Sequence, residues 1–170
     1  IVLSPDGSRL FALNTPDRYL GVYELATGHP LISAQIPVGL EPVSITWRNA
    51  NEVWVVNTLS DDISIVNLTT KNVKATLQVG DEPFDVIFAG TPERAFVSVS
   101  QEDVVKVYDP DNLATPPVVV PIFGSDPKAL AKSLDGSKVY CAVFESGNRT
   151  TCVPESTVTA NGGLPPPTPP

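Results

Sequence analysis

The 170-residue sequence has few of the residues on which most catalytic and cofactor sites depend. It contains no Met, two Cys and one His, and it has no Cys-x-x-Cys-His run to attach a c-type haem. The histidine, His29, follows Thr27-Gly28 at a predicted hairpin tip, where an exposed imidazole is expected. A three-His zinc site or a Ser-His-Asp triad needs more supporting groups. The sequence therefore predicts no catalytic residue, no metal and no cofactor, and it leaves open whether the whole protein is an enzyme.

Basic residues are also scarce, with 11 Lys and Arg against 19 Asp and Glu and a net charge of −8. Nucleic-acid binding requires cations arranged along the phosphates, so nucleic acids and anionic membrane surfaces are not expected as partners. No apolar run approaches the roughly 20 residues of a membrane-spanning helix. The lack of Met, a start inside a predicted strand and an end within a Pro run lead us to expect a piece of a longer protein.

The sequence does contain a motif, or repeat phrase, that recurs about every forty residues: Gly, any residue, an acidic residue and Pro. It reads Gly39-Leu40-Glu41-Pro42, Gly80-Asp81-Glu82-Pro83 and Gly124-Ser125-Asp126-Pro127. The glycines are 41 residues (39 to 80) and 44 residues (80 to 124) apart. A repeat of this length, filled with short Val- and Ile-rich runs and turn residues, is typical of β-propeller blades, each a four-stranded antiparallel sheet.

The clearest unit gives predicted strands at residues 42–47, 52–57, 63–68 and 73–79. We therefore predict an all-β chain, a β-propeller of four-stranded antiparallel blades, with about three and a half to four blades and an incomplete ring. The predicted blades cover approximately residues 1–39, 40–80, 81–124 and 125–153, and a Ser/Thr/Gly/Pro-rich linker or tail covers 154–170. Nearly continuous apolar runs at 53–56 and 118–120 predict strands covered on both faces by adjacent blades.

These motifs resemble the YVTN family of β-propeller repeats. The resemblance rests on the turn Ser4-Pro5-Asp6-Gly7, VWVVN at 53–57, SDDISIVNL at 60–68 and ATLQVG at 75–80, and it covers roughly residues 1–145. Such repeats occur in secreted surface proteins, in ring-shaped lyases and lactonase-like enzymes, and in propellers joined to c-type cytochrome domains. The resemblance thus implies an extracytoplasmic protein (secreted, periplasmic or at the cell surface) with a fold that serves many activities.

In a propeller, the turn leading into each blade and the loop between its second and third strands open on the same face. This arrangement places Glu41, Glu82 and Asp126 on one rim with Asp61 and Asp62, as candidate binding residues that face a channel mouth. The alternative is structural: the carboxylate accepts backbone N–H bonds and the Pro fixes φ in a tight turn. The acidic spacing of known calcium loops is missing, so no metal site is predicted.

Two cysteines and two sequons are further candidate sites. Cys141 and Cys152 lie on the predicted second and third strands of the last unit, where a cross-strand disulfide and two buried thiols stay open as interpretations. Asn67-Leu68-Thr69 and Asn148-Arg149-Thr150 have the form of N-glycosylation sequons, in a number close to what chance predicts.

Regular repeats without a cluster of titratable residues favour a non-catalytic binding or scaffold module of a secreted or cell-surface propeller protein, acting through the loop face of its blades. The alternative is the propeller portion of a larger extracytoplasmic enzyme or cytochrome-linked redox protein whose active centre lies outside this segment. In both cases the remaining blades or another protein chain are expected to complete the propeller.

Overall fold

The computed structural model describes residues 1–25, 29–145, 159–160 and 162–163. Within those residues the secondary structure consists of β-strands, apart from the helical pair Thr159 and Ala160. No helix in the described part of the chain has the length and apolar character needed to cross a membrane.

The strands form three four-stranded sheets and one two-stranded sheet, each antiparallel and ordered along the chain. Sheet 1 contains β1 (Val2–Leu3), β2 (Arg9–Asn14), β3 (Tyr19–Glu24) and β4 (Leu31–Pro37). Sheet 2 contains β5 (Pro42–Asn49), β6 (Glu52–Asn57), β7 (Asp62–Asn67) and β8 (Asn72–Gln78). Sheet 3 contains β9 (Pro83–Ala89), β10 (Arg94–Val99), β11 (Val104–Tyr108) and β12 (Val118–Pro121), and sheet 4 contains β13 (Ser125–Lys132) and β14 (Val139–Glu145). The predicted all-β propeller fold, with part of a ring, is confirmed.

The middle strands of sheet 2, β6 and β7, are buried on both faces, and residues 53–56 of β6 are apolar at consecutive positions. Val53 and Val55 of β6 pack in a cluster with Phe11 of sheet 1, whereas Trp54 packs against sheet 3, with its ring 5.1 Å from that of Phe88. Successive side chains of a strand point to opposite faces, so a run without polar residues supplies two interfaces. Burying one such side chain stabilises the fold by about 1.5–3 kcal/mol.

The first strands of the sheets contact one another in succession, β1 with β5, β5 with β9 and β9 with β13. Each sheet therefore faces the next, with its first strand on a common inner side, as blades do around an axis. A hydrogen bond of 2.5 Å from Thr46 Oγ1 of β5 to the carbonyl of Val86 in β9 joins two of these inner strands.

The prediction that residues 118–120 are covered on both faces is wrong. Val118, Val119 and Val120 are 65%, 52% and 42% exposed. They form β12, the last strand of sheet 3, and the described part of sheet 4 has only two strands, which do not reach across them. Tyr140 and Phe144 of β14 are exposed for the same reason.

Candidate functional site

Each lead-in turn, the Gly-x-acid-Pro segment before the first strand of sheets 2, 3 and 4, holds its acidic residue in a left-handed conformation. The φ angles are 54° for Glu41, 52° for Glu82 and 59° for Asp126. This conformation costs a residue with a side chain about 1–2 kcal/mol, and a residue before Pro normally adopts an extended conformation. Three such departures at equivalent positions require contacts that hold the turns in place.

A hydroxyl group from the preceding sheet fastens each lead-in turn. Thr15, Thr58 and Ser100 donate from their side chains to the carbonyls of Pro42, Pro83 and Pro127, each at 2.8 Å. The backbone N–H of Thr58 also donates to the carbonyl of Glu41 at 3.0 Å. Thr58 therefore joins the lead-in turns of sheets 2 and 3. A hydrogen bond of this kind contributes about 1 kcal/mol.

Carboxylates of the preceding hairpin loop provide a second link to the turns. Asp61 Oδ1 accepts the backbone N–H of Glu82 at 3.2 Å, and Asp103 Oδ1 accepts that of Asp126 at 2.9 Å. The structural alternative predicted that the turn acids themselves accept such bonds. The structure instead gives this role to acidic residues one blade earlier, which also adopt positive φ angles.

The turn acids lie on a face that we call the rim, formed by lead-in turns 39–42, 80–83 and 124–127 with hairpin loops 57–62 and 99–104. Glu82 accepts a hydrogen bond of 3.2 Å from Gln101 Nε2, and Asp126 lies 3.7 Å from Lys128 Nζ. Glu41 is exposed, and Leu59 is 65% exposed. The rim thus presents carboxylate and apolar groups on a hydrogen-bonded backbone.

Asp62 does not join the exposed acids of the rim. It is buried, and its Oδ1 accepts a 2.6 Å hydrogen bond from Nδ2 of the fully buried Asn57, which also donates to Ser64 Oγ at 2.9 Å. A Cβ at Gly39 would lie 2.6 Å from the Asn57 amide, so the close approach of this turn requires glycine. The Asp62 carboxylate supports the loop from inside the protein.

Within the described residues, no group of three or more His, Cys, Asp or Glu side chains is arranged to hold a metal ion. Asp6 and Asp135 instead organise turns at the opposite end of the sheets. Hydrogen bonds from flanking serines, Ser4 first for Asp6 and Ser133 first for Asp135, lower the pKa of each carboxyl to about 2. For Asp6 this arrangement agrees with the turn Ser4-Pro5-Asp6-Gly7 identified in the sequence.

The disulfide prediction and one sequon fall on residues outside the described part of the chain, namely Cys152 and Asn148. Both stay predictions. Cys141 has a free thiol within the described residues, and burial, followed by the charge of Asp85, raises its pKa. The side-chain oxygen of Asn67, Oδ1, accepts hydrogen bonds from the backbone N–H groups of Thr69 and Thr70. Glycosylation of Asn67 also stays a prediction.

A charged cluster at the end opposite the rim was not predicted from the sequence. The side chain of Arg48 is 9% exposed and lies 3.0 Å from Glu52 and Glu93, with a further contact to Asp111. Because these partners come from sheet 2 and from two loops of sheet 3, the cluster ties the two sheets together. The one feature of the sequence that could have indicated this cluster is the four-residue spacing of Arg48 and Glu52 on either side of a turn.

Asp85 on β9 is a second residue whose role the sequence did not reveal. Its Oδ1 accepts from Ser44 Oγ of sheet 2 at 2.6 Å, and its Oδ2 accepts the backbone N–H of Leu130 in sheet 4 at 2.8 Å. One carboxylate therefore links three sheets along the inner side.

No family model matches the sequence, and no curated protein matches it. Among solved structures, the chain is similar to the hydrazine synthase of Kuenenia stuttgartiensis, with a TM-score of 0.73 and 22% identity over 85% of this chain and 41% of that one. It is also similar to a putative 6-phosphogluconolactonase from Bacteroides uniformis, with a TM-score of 0.67 and 18% identity over 84% of this chain and 49% of that one.

The chain thus spans less than half the length of either solved structure. At these identities the likeness shows the fold alone, a propeller-like arrangement of antiparallel sheets. The resemblance to YVTN repeats agrees with this fold, and membership of that family stays a prediction.

Proposed function

We propose that this chain is a non-catalytic binding or scaffold module that recognises a protein partner through the rim. The observation that carries the proposal is the contrast between backbone and side chains there. The backbone is fixed by hydrogen bonds between sheets, such as that from Thr58 to Pro83, whereas the side chains of Glu41 and Leu59 are exposed. A surface of this kind loses little conformational entropy when it binds.

The charge of the rim favours a basic partner. Its acidic residues belong to a chain of net charge −8, so long-range attraction speeds the approach of a positively charged surface. Leu59 and Leu40, which are 65% and 38% exposed, supply apolar contacts among these charges. We therefore expect the partner to combine Lys or Arg residues with an apolar side chain at its centre.

The test is a pull-down with the intact protein from the extracytoplasmic fraction of its source, followed by calorimetry with the purified partner. The rim variant carries Glu41→Lys and Leu59→Glu, and the matched control carries Glu24→Lys, at the opposite end of sheet 1. We expect the control to bind like the wild type and the rim variant to bind at least about tenfold more weakly. Equal binding by all three proteins, or enzymatic turnover abolished by a rim substitution, would contradict the proposal.

We further propose that the protein is extracytoplasmic and that additional blades or another chain cover its open end. The YVTN resemblance supports the location, and the 56% and 77% exposed side chains of Tyr140 and Phe144 support the need for cover. Light scattering on the 170-residue chain tests the second part. A monodisperse monomer without a partner would contradict it.

A second candidate is the propeller portion of a larger enzyme or redox protein, with the active centre elsewhere. The two solved structures described above are named as enzymes, and the chain spans less than half of each. The full gene sequence and the intact mass discriminate between the candidates. A Cys-x-x-Cys-His run or a hydrolase motif beyond these residues would favour the second one.

A further inference from the structure

A cleft of about 560 Å³ lies on the outer flank of the molecule between sheets 2 and 3. We call it the flank cleft. One wall comes from the end of β8 and includes Leu77, the floor includes Lys106 and Tyr108 of β11, and the loop at 113–117 forms an apolar side with Leu113 and two prolines. A concave site with apolar walls and a few polar groups has the general character of a small-molecule pocket.

Tyr108 is the most unusual group in the flank cleft. The residue is only 4% exposed, it lines the cleft, and its hydroxyl makes no hydrogen bond to any residue of the described part of the chain. Burial, followed by the charge of Glu102, raises the pKa of Tyr108 to about 12, so the phenol stays protonated near neutral pH. The hydroxyl is not among the enclosed polar atoms that lack a partner, so it opens into the cleft, where a ligand can supply a hydrogen-bond partner.

The charges around the flank cleft do not balance. Lys106 Nζ lies 2.6 Å from Glu102 Oε2 and donates to the carbonyl of Val79 at 2.7 Å, so its charge is already compensated. Asp61 and Asp81 also line the cleft and form no ion pair within the described residues. Three carboxylates against one ammonium leave two negative charges without a counter-charge. An anionic ligand is therefore disfavoured.

We propose that the flank cleft binds an organic ammonium ion with an apolar body. The ammonium group interacts with Asp81 and Asp61 near the rim end, the Tyr108 hydroxyl accepts one of its N–H bonds, and the apolar body packs against Leu113 and the adjacent prolines. A neutral polyol would bond the hydroxyl and the carboxylates without balancing their charge, and an anion could accept from the hydroxyl but would be repelled by the carboxylates. Asp61 and Asp81 belong to the rim, whereas Tyr108 and Leu113 lie outside it, so ligand binding in the cleft is measured separately from partner binding through Glu41 and Leu59.

The experiment compares benzylamine with its neutral isostere benzyl alcohol, and adds benzoate and glucose as the anionic and polyol probes. Binding to the 170-residue chain is followed by calorimetry and by NMR shifts of Leu113 and Ala114. We expect benzylamine to bind at least about tenfold more tightly than each other probe, and more weakly as salt is raised, because the extra attraction is electrostatic. Equal affinity for benzyl alcohol, tighter binding of glucose or benzoate, or no binding at millimolar benzylamine would overturn the proposal.

Two substitutions separate binding in the cleft from general attraction to an acidic protein. Tyr108→Phe removes only the hydroxyl and should weaken benzylamine binding about fivefold, as loss of one hydrogen bond does. Asp81→Asn changes an exposed residue, leaves the fold intact by circular dichroism, and should weaken binding by a similar factor. The matched controls, Tyr140→Phe and Asp126→Asn, should leave the affinity unchanged. An affinity that responds equally to both pairs would assign the binding to surface charge and overturn the site.

Discussion

Replacing Glu52 with Gln tests whether the charged cluster between sheets 2 and 3 stabilises the fold. Glu52 is buried, accepts a 2.7 Å hydrogen bond from Trp54 Nε1, and bonds both Lys74 and Arg48. Glutamine has nearly the same shape but no charge, and its amide group places a donor against a second donor. The substitution therefore removes the electrostatic interaction while it keeps the volume of the core.

The magnitude follows from the burial of the group. Removing one partner of a buried ion pair costs about 3–5 kcal/mol, because the other charge remains desolvated and unpaired. In this variant Arg48 keeps its contacts with Glu93 and Asp111, and the amide oxygen still accepts from the Trp54 indole, so we expect the lower end, about 3 kcal/mol. With a urea m-value of about 2 kcal/mol/M, the midpoint should fall by roughly 1.5 M.

The pH dependence gives a second, independent measurement. Burial would raise the pKa of Glu52, but hydrogen bonds from Lys74, Trp54 and Arg48 outweigh it and lower the pKa below its usual value of 4.5. A lowered pKa in the folded state stabilises the protein above the unfolded-state pKa, and this stability is lost as pH falls through the folded-state pKa. The difference in unfolding free energy between wild type and variant should thus be largest at neutral pH and shrink below about pH 4.5.

Urea unfolding followed by tryptophan fluorescence at several pH values is the assay. Glu24→Gln, at an exposed position, serves as the matched control and should shift the midpoint little. Lys74→Met should also cost less than Glu52→Gln, because the Lys74 side chain is 44% exposed and Glu52 keeps its bonds from Arg48 and Trp54. A Glu52→Gln midpoint within error of the wild type, or a difference that does not change with pH, would refute the reasoning.

Three other predictions concern the repeat positions. Thr58→Val removes the hydroxyl that bonds the next lead-in turn and should lower the unfolding free energy by about 1 kcal/mol. Thr15→Val should lower it by less, because Thr15 is exposed. Urea titration of the two variants compares these losses. Trp54→Ala should cost about 3–5 kcal/mol, whereas Tyr140→Ala, at the equivalent place on the open sheet 4, should cost almost nothing in thermal unfolding. The Asp6 carboxyl should titrate near pH 2 in a carbon-detected NMR experiment, and a midpoint at the model-peptide value of about 4 would show that the serine hydrogen bonds do not hold in solution.

The strands of this protein could be predicted because each depends on local pattern and on a repeat. Apolar runs bounded by turn residues placed β5 to β8 within a residue or two of their observed limits. Burial was harder to predict, since it depends on what lies beside a strand. Residues 53–56 and 118–120 have equally apolar sequences, yet the first run is enclosed by two sheets and the second lies beside an open one.

The roles of individual carboxylates could be predicted only in part. The phrase Gly-x-acid-Pro located the lead-in turns and their acids, because that phrase repeats. The groups that hold these turns, such as Asp61 for Glu82, lie 21 residues away, and no repeat alignment pairs them. Arg48 and Asp85 bond residues 40 or more positions distant, so their partners become visible only when the sheets are stacked.

The packing of the sheets also ranks the parts of the rim as binding surfaces. Thr58 of loop 57–62 and Ser100 of loop 99–104 are each bonded to two lead-in turns, but loop 57–62 belongs to sheet 2, whose middle strands are covered on both faces. Loop 99–104 belongs to sheet 3, whose far side is open at β12. Leu59 and Gln101 occupy equivalent places, with their backbone N–H groups bonded to Leu40 and Asp81, but only Leu59 rests on a sheet enclosed on both sides. Since ordering a mobile group costs binding free energy, a partner gains more from contacts at Leu59 than from contacts at Gln101.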